Sequence, residues 1–323
     1  MTTRAIGILA AAGMAALLGT QAIAQTTGTV DSHVAAAKAA AGTEHVALFE
    51  STCKPASGPP PAASGPRPVP ERDTWHYDPV KVFDNLYYVG EKEYSAWAVV
   101  TSDGIIVIDT IWSHSVEDEI VGGLRKLGFD PATIKYAIVS HAHIDHIGGA
   151  KFLQDHYGTH IVMSAADWEF AEKSPRLPAA IKPKRDIVAA DGQKLTLGDT
   201  TLSLYLTPGH TPGTISMLIP VKDGGQPHLV ATWGGTGFNF ALTEANFQTY
   251  INSAVSYLPI VARSGADIML SNHTIFDGSR TKLPAMATRK PGDPNPYVIG
   301  NEAVQRYVKV AEECARANLL RLK

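Results

Sequence analysis

Residues 134–150 read Ile-Lys-Tyr-Ala-Ile-Val-Ser-His-Ala-His-Ile-Asp-His-Ile-Gly-Gly-Ala, and the interpretation of the whole chain starts from this stretch. It opens with an apolar run that is typical of a buried strand, and it closes with two glycines that precede a helical pattern. Between them lie four side chains that can bind a metal ion, namely His141, His143, Asp145 and His146. Imidazole nitrogens and carboxylate oxygens are the ligands that zinc and similar divalent ions take from proteins. The stretch therefore predicts a metal site at the end of a strand.

The spacing of these four side chains predicts two neighbouring ions rather than one. Alternate residues of an extended segment point to the same side, so His141 and His143 can share one ion. Asp145 and His146 then face a second ion. The alternative is a polar loop that is merely rich in histidine. The position between a buried strand and a glycine-opened helix favours the metal sites.

Each predicted ion needs a further ligand, because a catalytic zinc site takes three protein ligands and keeps one position open for water. His210 follows the predicted strand 200–207 and lies in a rigid Pro-Gly-His-Thr-Pro-Gly loop. His273 follows the predicted strand 268–270 in a Ser-Asn-His-Thr segment. These two histidines complete the predicted sites. The remaining histidines have no comparable context, and we interpret them as ordinary surface or core residues.

Residues 1–24 have the three-part pattern of a secretory signal peptide. Arg4 supplies the positive start, residues 5–18 are apolar, and an Ala-Ile-Ala cleavage site occupies residues 22–24. The apolar run is too short to span a bilayer as a mature helix. We therefore expect a periplasmic or secreted protein without a membrane segment after the signal is cleaved.

The composition of the 323-residue chain is that of a globular protein, with 45% hydrophobic residues and a formal net charge of −3. It contains no basic block with interleaved aromatic residues, so we expect a small-molecule substrate and no binding of nucleic acid. Two cysteines remain after signal cleavage, Cys53 and Cys314. An oxidising compartment would allow them to pair. The sequence leaves a disulfide and two free thiols equally open.

Beyond the signal peptide, the chain divides into an N-terminal segment, residues 25–73, and a folded domain, residues 74–323. Residues 54–70 are rich in proline and predict an extended linker without a core of its own. The alanine-rich residues before it, 34–41, are compatible with a short helix. The folded domain is therefore predicted to start near Thr74.

The predicted elements of this domain fall into two halves, each with several strands and then helices. The predicted strands are 80–83, 86–89, 96–100, 105–108, 134–139, 160–163, 193–197, 200–207, 215–219, 229–232 and 268–270. The predicted helices are 116–127, 150–156, 165–173, 246–264 and 301–322, and residues 182–194 are predicted to be loop and turn. Two sheets packed face to face, with helices outside, would accommodate this order.

The predicted ligands resemble those of a known family. His141-x-His143-x-Asp145-His146 is similar to the signature motif of the metallo-β-lactamase superfamily, and the resemblance covers about residues 74–323. It implies an α/β fold, the four-layer αβ/βα sandwich, with metals at one edge and with His210 and His273 as the later ligands. Asp109, which ends an upstream strand, resembles the family's structural aspartate beneath the metals, and we expect it to fix the geometry of the ligands.

The loop after the predicted strand 229–232 distinguishes the subfamilies. Glyoxalase-II-like and lactonase-like members carry there an aspartate that bridges both ions, whereas this chain reads Trp-Gly-Gly-Thr at residues 233–236. The cysteine expected for the commonest lactamase subclass is missing as well. The chain therefore most resembles subclass three of the metallo-β-lactamases, which usually hold the substrate carboxylate with a small hydroxyl residue near this loop. Thr236 and Asn239 are the candidates for that contact.

The predicted chemistry is hydrolysis with two Zn²⁺ ions per chain. Zinc lowers the pKa of bound water towards about 7, so a metal-bound hydroxide that attacks a carbonyl exists at neutral pH. Asp145 would hold one ion and orient this nucleophile. We expect an exported hydrolase that opens a cyclic amide, first of all a β-lactam antibiotic. Two alternatives remain open: a hydrolase of a lactone or another ester, and a metal-binding relative without lactamase activity.

Overall fold

The structure is a computed structural model that describes residues 28–59 and 68–323. The predicted signal peptide, residues 1–24, lies outside the described residues. Among the helices that are described, none has the length and apolar character needed to cross a membrane. Two sheets pack against each other and carry helices on their outer faces, which confirms the predicted sandwich.

The first sheet has seven strands, arranged in the order in which they occur in the sequence. Strands β1 to β4 are antiparallel neighbours, and β4 to β7 run parallel. The strands are β1 (Val80–Lys81), β2 (Leu86–Tyr88), β3 (Trp97–Thr101), β4 (Gly104–Ile108), β5 (Ile134–Ile138), β6 (His160–Ser164) and β7 (Ile187–Ala189). Parallel strands are buried on both faces, which explains the run of Ile and Val in β4, whereas β5, the strand that precedes the metal motif, carries the exposed Lys135 near its start.

The second sheet has five strands in the order β12-β11-β10-β9-β8. The strands are β8 (Lys194–Leu197), β9 (Thr200–Leu206), β10 (Ile215–Asp223), β11 (Gln226–Trp233) and β12 (Ile268–Ser271). Strands β8 to β11 form antiparallel pairs, whereas β12 pairs in parallel with β11. Gly198 has a φ of 53° in the tight turn between β8 and β9, where the sequence predicts a hairpin.

Helices cover the outer faces of both sheets and complete the four layers. They are α1 (Val30–Ala41), α2 (Val46–Thr52), α3 (Arg72–Trp75), α4 (Gly122–Lys126), α5 (Ile144–Ile147), α6 (Ala150–Tyr157), α7 (Ala165–Lys173), α8 (Glu244–Ser264), α9 (Ser279–Thr288) and α10 (Asn301–Leu320). One apolar cluster lies between the sheets. A second joins α4, α6 and α7 to the first sheet, and a third joins α8 and α10 to the second sheet.

The N-terminal segment packs into the fold, so the predicted start of the domain near Thr74 is wrong. Helices α1 and α2 lie against α10, and Ala37 and Leu48 are fully buried in the same apolar cluster as α10. Cys53 and Cys314 form a disulfide that joins the end of α2 to α10. The proline-rich linker follows this packed segment and does not separate it from the core. The domain start was predicted too late because a proline-rich stretch indicates a linker. It does not indicate what the residues before the linker contact.

Other elements also differ from the prediction. Strand β7 lies within the predicted loop 182–194, where three residues are enough to pair with β6. Helix α9 was not predicted because it contains Pro284, a residue that usually ends a helix. The predicted helix 116–127 begins with a π-helical turn, Glu117–Val121, before it becomes α4.

Candidate metal centre

The predicted ligands come together at one edge of the sandwich, where strands from both sheets end. After β5 the chain bends at Ser140 and His141, and His143, which has a φ of −77° and a ψ of 150°, precedes α5 as its N-cap. Asp145 and His146 lie within the single turn of α5. His210 comes from the loop between β9 and β10, and His273 lies two residues beyond β12. The first sheet thus supplies four of the ligands and the second sheet two.

His141, His143 and His210 form the first group, which we call the three-histidine site. His210 Nε2 lies 3.1 Å from His141 Nε2 and 3.0 Å from His143 Nδ1. Three imidazole nitrogens this close together, with no acidic partner among them, form a ligand set suited to a divalent ion.

Asp145, His146 and His273 form the second group, which we call the aspartate site. His146 Nε2 lies 3.3 Å from His273 Nε2 and 3.3 Å from the Asp145 carboxylate. The rings of His141 and His146, one from each group, have centroids only 4.2 Å apart. The two groups are therefore direct neighbours, as the spacing in the sequence predicts.

Hydrogen bonds on the far side of the rings orient three of the histidines. His141 Nδ1 donates to the carbonyl of Gly234 at 2.7 Å, and His210 Nδ1 donates to the carbonyl of Gly237. His146 Nδ1 lies 3.0 Å from a carboxylate oxygen of Asp109. Carbonyl and carboxylate oxygens only accept hydrogen bonds, so each Nδ1 carries the proton and each Nε2 offers its lone pair to the centre. These residues fit a metal ion in each group.

The charges around the two groups also suit metal binding. Burial lowers the pKa of His143 to about 3, that of His210 to about 4 and that of His273 to about 3. Burial would raise the pKa of Asp145, but the neighbouring histidines outweigh it and hold the pKa below the ordinary range. Neutral imidazoles and an ionised carboxylate are the forms that bind metals. His146 differs: burial lowers its pKa, but Asp145 and Asp109 outweigh burial and raise the pKa to about 10, so metal binding there would release a proton.

Asp109 lies beneath the aspartate site and accepts hydrogen bonds from several elements, as the sequence predicts for a structural aspartate. Besides His146, it accepts from the backbone N–H of Ser140 at 2.7 Å and from Asn272 Nδ2 at 2.7 Å. Asp109 has a φ of 59° and Ile111 a φ of 48°. A positive φ is costly for a β-branched residue, so the chain accepts backbone strain beneath the ligands.

Two glycines allow the close approach of the segments that carry ligands. A Cβ on Gly149 would collide with the carbonyl oxygen of Thr110, so the helix after the motif packs directly on the strained loop after β4. A Cβ on Gly235 would lie 2.5 Å from Cβ of His210. Glycine at these positions is a condition of the ligand geometry, since real Cβ contacts of this length do not occur.

Asp167 is a site residue that the sequence analysis did not identify. It lies in the first turn of α7, is 1% exposed, and its carboxylate accepts hydrogen bonds from both loops that carry the three-histidine site. In the sequence it is only an acidic residue in the first turn of a helix, which is a common position. The convergence of the two loops on its side chain is visible only in three dimensions.

Thr236 and Asn239, the residues predicted to hold a substrate carboxylate, differ in exposure. Thr236 is buried, and its hydroxyl lies 3.3 Å from both Ser271 Oγ and Tyr307 Oη. Asn239, the other candidate, is exposed next to Gly237, whose carbonyl orients His210. In the described part of the chain, neither group of ligands includes an acid that bridges both groups, in agreement with the Trp-Gly-Gly-Thr loop.

The sequence is similar to those of known metal-dependent hydrolases of one superfamily over part of its length. A family model described as "Metallo-beta-lactamase superfamily" matches residues 89–224. An N-acyl homoserine lactonase of a Bacillus species is 34% identical over 164 residues, which are 49% of this chain and 63% of the lactonase. The lactonase AttM of Agrobacterium fabrum is 31% identical over 125 residues, 35% of this chain and 46% of AttM. The chain thus spans less than two thirds of the length of these curated relatives.

Solved structures of similar fold are metallo-β-lactamases. BJP-1, a subclass B3 enzyme of Bradyrhizobium japonicum, has a TM-score of 0.60 at 28% identity, over 73% of this chain and 91% of BJP-1. FEZ-1 of Legionella gormanii has a TM-score of 0.62 over 77% of this chain and 96% of FEZ-1, and its 23% identity shows a likeness of fold alone. The paired ligand groups lie at one edge of the sandwich that these proteins share, and the matched family model contains the signature motif. Residues 89–224 thus match the metallo-beta-lactamase superfamily, and the fold is similar to that of BJP-1.

Proposed function

We propose that the chain is a hydrolase that holds two Zn²⁺ ions and opens a strained cyclic amide, namely a β-lactam. The observation that carries the proposal is the pair of adjacent three-ligand groups without a bridging acid. The likeness to BJP-1, a subclass B3 metallo-β-lactamase, supports it. The ions would supply a Lewis acid for the carbonyl oxygen and an activated water as nucleophile.

The chain's own residues would orient the substrate and the water. Asp145 and His273 are partly exposed, with side-chain exposures of 20% and 23%, whereas His146 is fully buried. The centre is thus open to a ligand on the side of Asp145. A carboxylate in that position would both hold an ion and accept a hydrogen bond from the attacking water, and this gives Asp145 its catalytic role.

Aromatic side chains form a wall on the open side of the aspartate site. The Tyr94 ring lies 5.2 Å from His273 and 5.6 Å from Trp112, and both aromatic residues are partly exposed. On the other side of the centre, Phe170 lies 5.9 Å from His143. A substrate with an apolar side arm next to its scissile carbonyl would suit this surface, and β-lactams with aryl or alkyl side chains have this shape.

Hydrolysis of a lactone is the second candidate. The observation that favours it is the 34% identity to an N-acyl homoserine lactonase of a Bacillus species. An acyl chain would pack against the same aromatic wall, and ester carbonyls are open to the same attack. The resemblance associates a bridging aspartate with lactonases. The two ligand groups of this chain include no such acid, which argues against this candidate.

A direct comparison of substrates tests the proposal. Purified protein with two equivalents of Zn²⁺ would be incubated with a penicillin, a cephalosporin, a carbapenem and an N-acyl homoserine lactone, next to a His273→Ala control. We expect turnover of at least one β-lactam that the control loses. Hydrolysis of the lactone alone would overturn the β-lactam assignment in favour of the second candidate. Two bound ions without any turnover would favour a metal-binding relative that lacks this activity.

Export to an oxidising compartment is part of the same proposal. The signal-like residues 1–24 support it, and so does the Cys53–Cys314 disulfide, since disulfides persist mainly outside the cytoplasm. Fractionation of a bacterium that expresses the full chain, with N-terminal sequencing of the product, tests it. We expect periplasmic or secreted protein that begins at Gln25, and a cytoplasmic protein that keeps Met1 would contradict export.

A further inference from the structure

The carboxylate of Asp167 connects the two loops that supply all ligands of the three-histidine site. One oxygen accepts from the backbone N–H of Ala142 at 2.9 Å and from the Thr211 hydroxyl at 2.8 Å. The other oxygen accepts from the backbone N–H of Gly213 at 2.8 Å. Ala142 lies between the ligands His141 and His143, and Thr211 follows the ligand His210. A single buried side chain is therefore hydrogen-bonded to both the first-sheet loop and the second-sheet loop of this site.

Asp167 is itself held firmly by the start of α7. Its backbone N–H donates to the hydroxyl of Ser164, the N-cap of the helix, at 3.2 Å. Gly213 approaches so closely that a Cβ there would collide with Ser164 Oγ and lie 2.5 Å from the Asp167 nitrogen. The loop around His210 thus packs against the N-terminus of α7, and the Asp167 carboxylate accepts hydrogen bonds from this loop.

The aspartate site has anchors of its own. Asp109 holds His146, and Asn272, the residue before His273, donates to the same carboxylate. Asp277 accepts from the backbone N–H of Ser271 at 2.8 Å, at the start of the loop that carries His273. None of the hydrogen bonds of Asp167 reaches these residues. The aspartate site therefore has hydrogen bonds that do not involve Asp167.

We propose that Asp167 is a positioning residue that sets the geometry of the three-histidine site, so that its loss weakens metal binding there and spares the aspartate site. The inference rests on the metal binding in the proposed function and not on the substrate. Asp167 is not a ligand, because both of its oxygens point to the loops that it joins. Residues of this kind, which orient ligands from behind, typically change metal affinity by about 10- to 100-fold when they are replaced.

Asp167→Asn keeps the shape of the side chain and changes one acceptor oxygen into an NH₂ donor. Each oxygen of Asp167 faces a backbone N–H, so either orientation of the amide leaves one N–H opposite another donor. One of the two loops would lose its hydrogen bond, because an N–H cannot accept it. The His210 side of the site would then move relative to the His141 side.

The test measures Zn²⁺ affinity by competition with a chromophoric chelator in variants that keep one site each. His273→Ala isolates the three-histidine site, and His210→Ala isolates the aspartate site. Adding Asp167→Asn is expected to weaken Zn²⁺ binding about 10- to 100-fold in the His273→Ala background. In the His210→Ala background the affinity is expected to stay within about threefold of its starting value.

Asp267→Asn is the matched control, since this carboxylate accepts from the backbone N–H of Leu229 and from His228, at the other end of β12. It is expected to change neither affinity. If Asp167→Asn fails to fold, Thr211→Val removes the hydroxyl that contacts Asp167 and Thr214 and keeps both backbone contacts of Asp167. It is expected to give a smaller loss at the three-histidine site alone.

Equal weakening of both sites, or no change at either, would overturn the positioning role of Asp167. A wild-type chain that binds no Zn²⁺ would overturn the proposed function itself, so the two failures are distinguishable.

Discussion

Asp109 is the residue on which the aspartate site depends most, because it accepts from His146, Ser140 and Asn272 at once. We expect Asp109→Asn to weaken Zn²⁺ binding at the aspartate site by about 10- to 100-fold. The NH₂ group of the asparagine would face one of the N–H groups that now donate to Asp109. Where it faces His146, the orientation of that ring would be lost. Asparagine tolerates a positive φ as aspartate does, so the substitution tests the hydrogen bonds and leaves the backbone strain unchanged.

Competition titrations in the His210→Ala background, which keeps the aspartate site only, measure this effect. Asp103→Asn is a suitable control, since Asp103 lies in an exposed turn at the opposite end of β4. A wild-type affinity in Asp109→Asn would mean that the ligands of the aspartate site hold their positions without Asp109.

Glu91 is a buried carboxyl near the centre, and it gives the stability a pH dependence. Burial raises the pKa of Glu91 to about 7, with a further contribution from Glu119 and Asp145, although the Ser115 hydroxyl donates to it. The folded-state pKa lies above the ordinary value of 4.5, so the folded protein binds the proton more tightly than the unfolded chain. The stabilising effect of the protonated acid is therefore lost as the pH rises from about 4.5 through about 7.

Glu91→Gln removes this titration and keeps an acceptor for Ser115. The stability of the variant relative to the wild type is expected to increase between pH 5 and pH 8, by up to about 3 kcal/mol in the limit of roughly 1.4 kcal/mol per pKa unit. Denaturant unfolding with chelator present in all samples measures it without a contribution from metals. Glu93→Gln, which removes one of the weaker charges that raise the pKa of Glu91, is the comparison and is expected to give a smaller trend. A flat difference for Glu91→Gln would show that Glu91 does not titrate in this range.

At the residue scale, the sequence predicted the ligands far better than the residues that support them. His141, His143, Asp145 and His146 share one short motif, so their spacing alone indicated the site. His210 and His273 were recognisable from the strand ends and turn residues around them. Asp167 was missed, because its partners at Ala142, Thr211 and Gly213 are close only after folding. The substrate contact of Thr236 stays a prediction, and its burial could not be predicted, because a position after a strand does not reveal which way the side chain points.

At the scale of elements, strong apolar patterns predicted the central strands and the long helices. Elements with weak apolar patterns were not predicted. Strand β7 has three residues, and α9 contains Pro284, so neither carries a clear periodic signal. The role of α1 and α2 was missed for another reason. These helices are stabilised by packing against α10, a helix more than 250 residues away in the sequence, and by the disulfide beside it.

The disulfide is expected to hold α1 and α2 on α10. Cys53 and Cys314 are separated by 261 residues, so the bond removes much of the conformational freedom of the unfolded chain. We expect the double variant Cys53→Ser/Cys314→Ser to lower the free energy of unfolding by about 2 to 5 kcal/mol. Denaturant titrations of the variant and of the oxidised wild type measure the difference.

Zn²⁺ content serves as the control for this variant. The disulfide lies in the cluster on the outer face of the second sheet, and the ligands lie at the edge of the sandwich, so two equivalents should still bind. Unchanged stability of the double variant would mean that packing alone holds the N-terminal helices. Loss of metal would mean that α10 transmits the disturbance to the ligand loops.

At the scale of the whole molecule, the ligands connect the two halves of the sandwich. Four ligands follow β5 of the first sheet, and His210 and His273 come from loops of the second sheet. Direct hydrogen bonds also join the halves at this edge, such as that from the backbone N–H of Ile215 to the carbonyl of Ser140 at 2.7 Å and that from Asn272 to Asp109. Each metal ion would take ligands from both sheets, so metal binding and cohesion of the two halves are linked.

Removal of metal is therefore expected to destabilise the whole domain and not only the ligand loops. A free Zn²⁺ concentration of roughly 1,000 times the Kd of one site stabilises the folded state by about 4 kcal/mol. Two sites that bind independently stabilise it by twice that amount. Calorimetry of the oxidised protein with excess Zn²⁺ or with chelator measures the shift as a lower melting temperature. His210→Ala and His273→Ala should each lose part of the Zn²⁺-dependent shift, because each removes a ligand that links the sheets. Equal melting temperatures with and without Zn²⁺ would contradict this link, since an ion bound across both sheets must favour the state in which they are packed together.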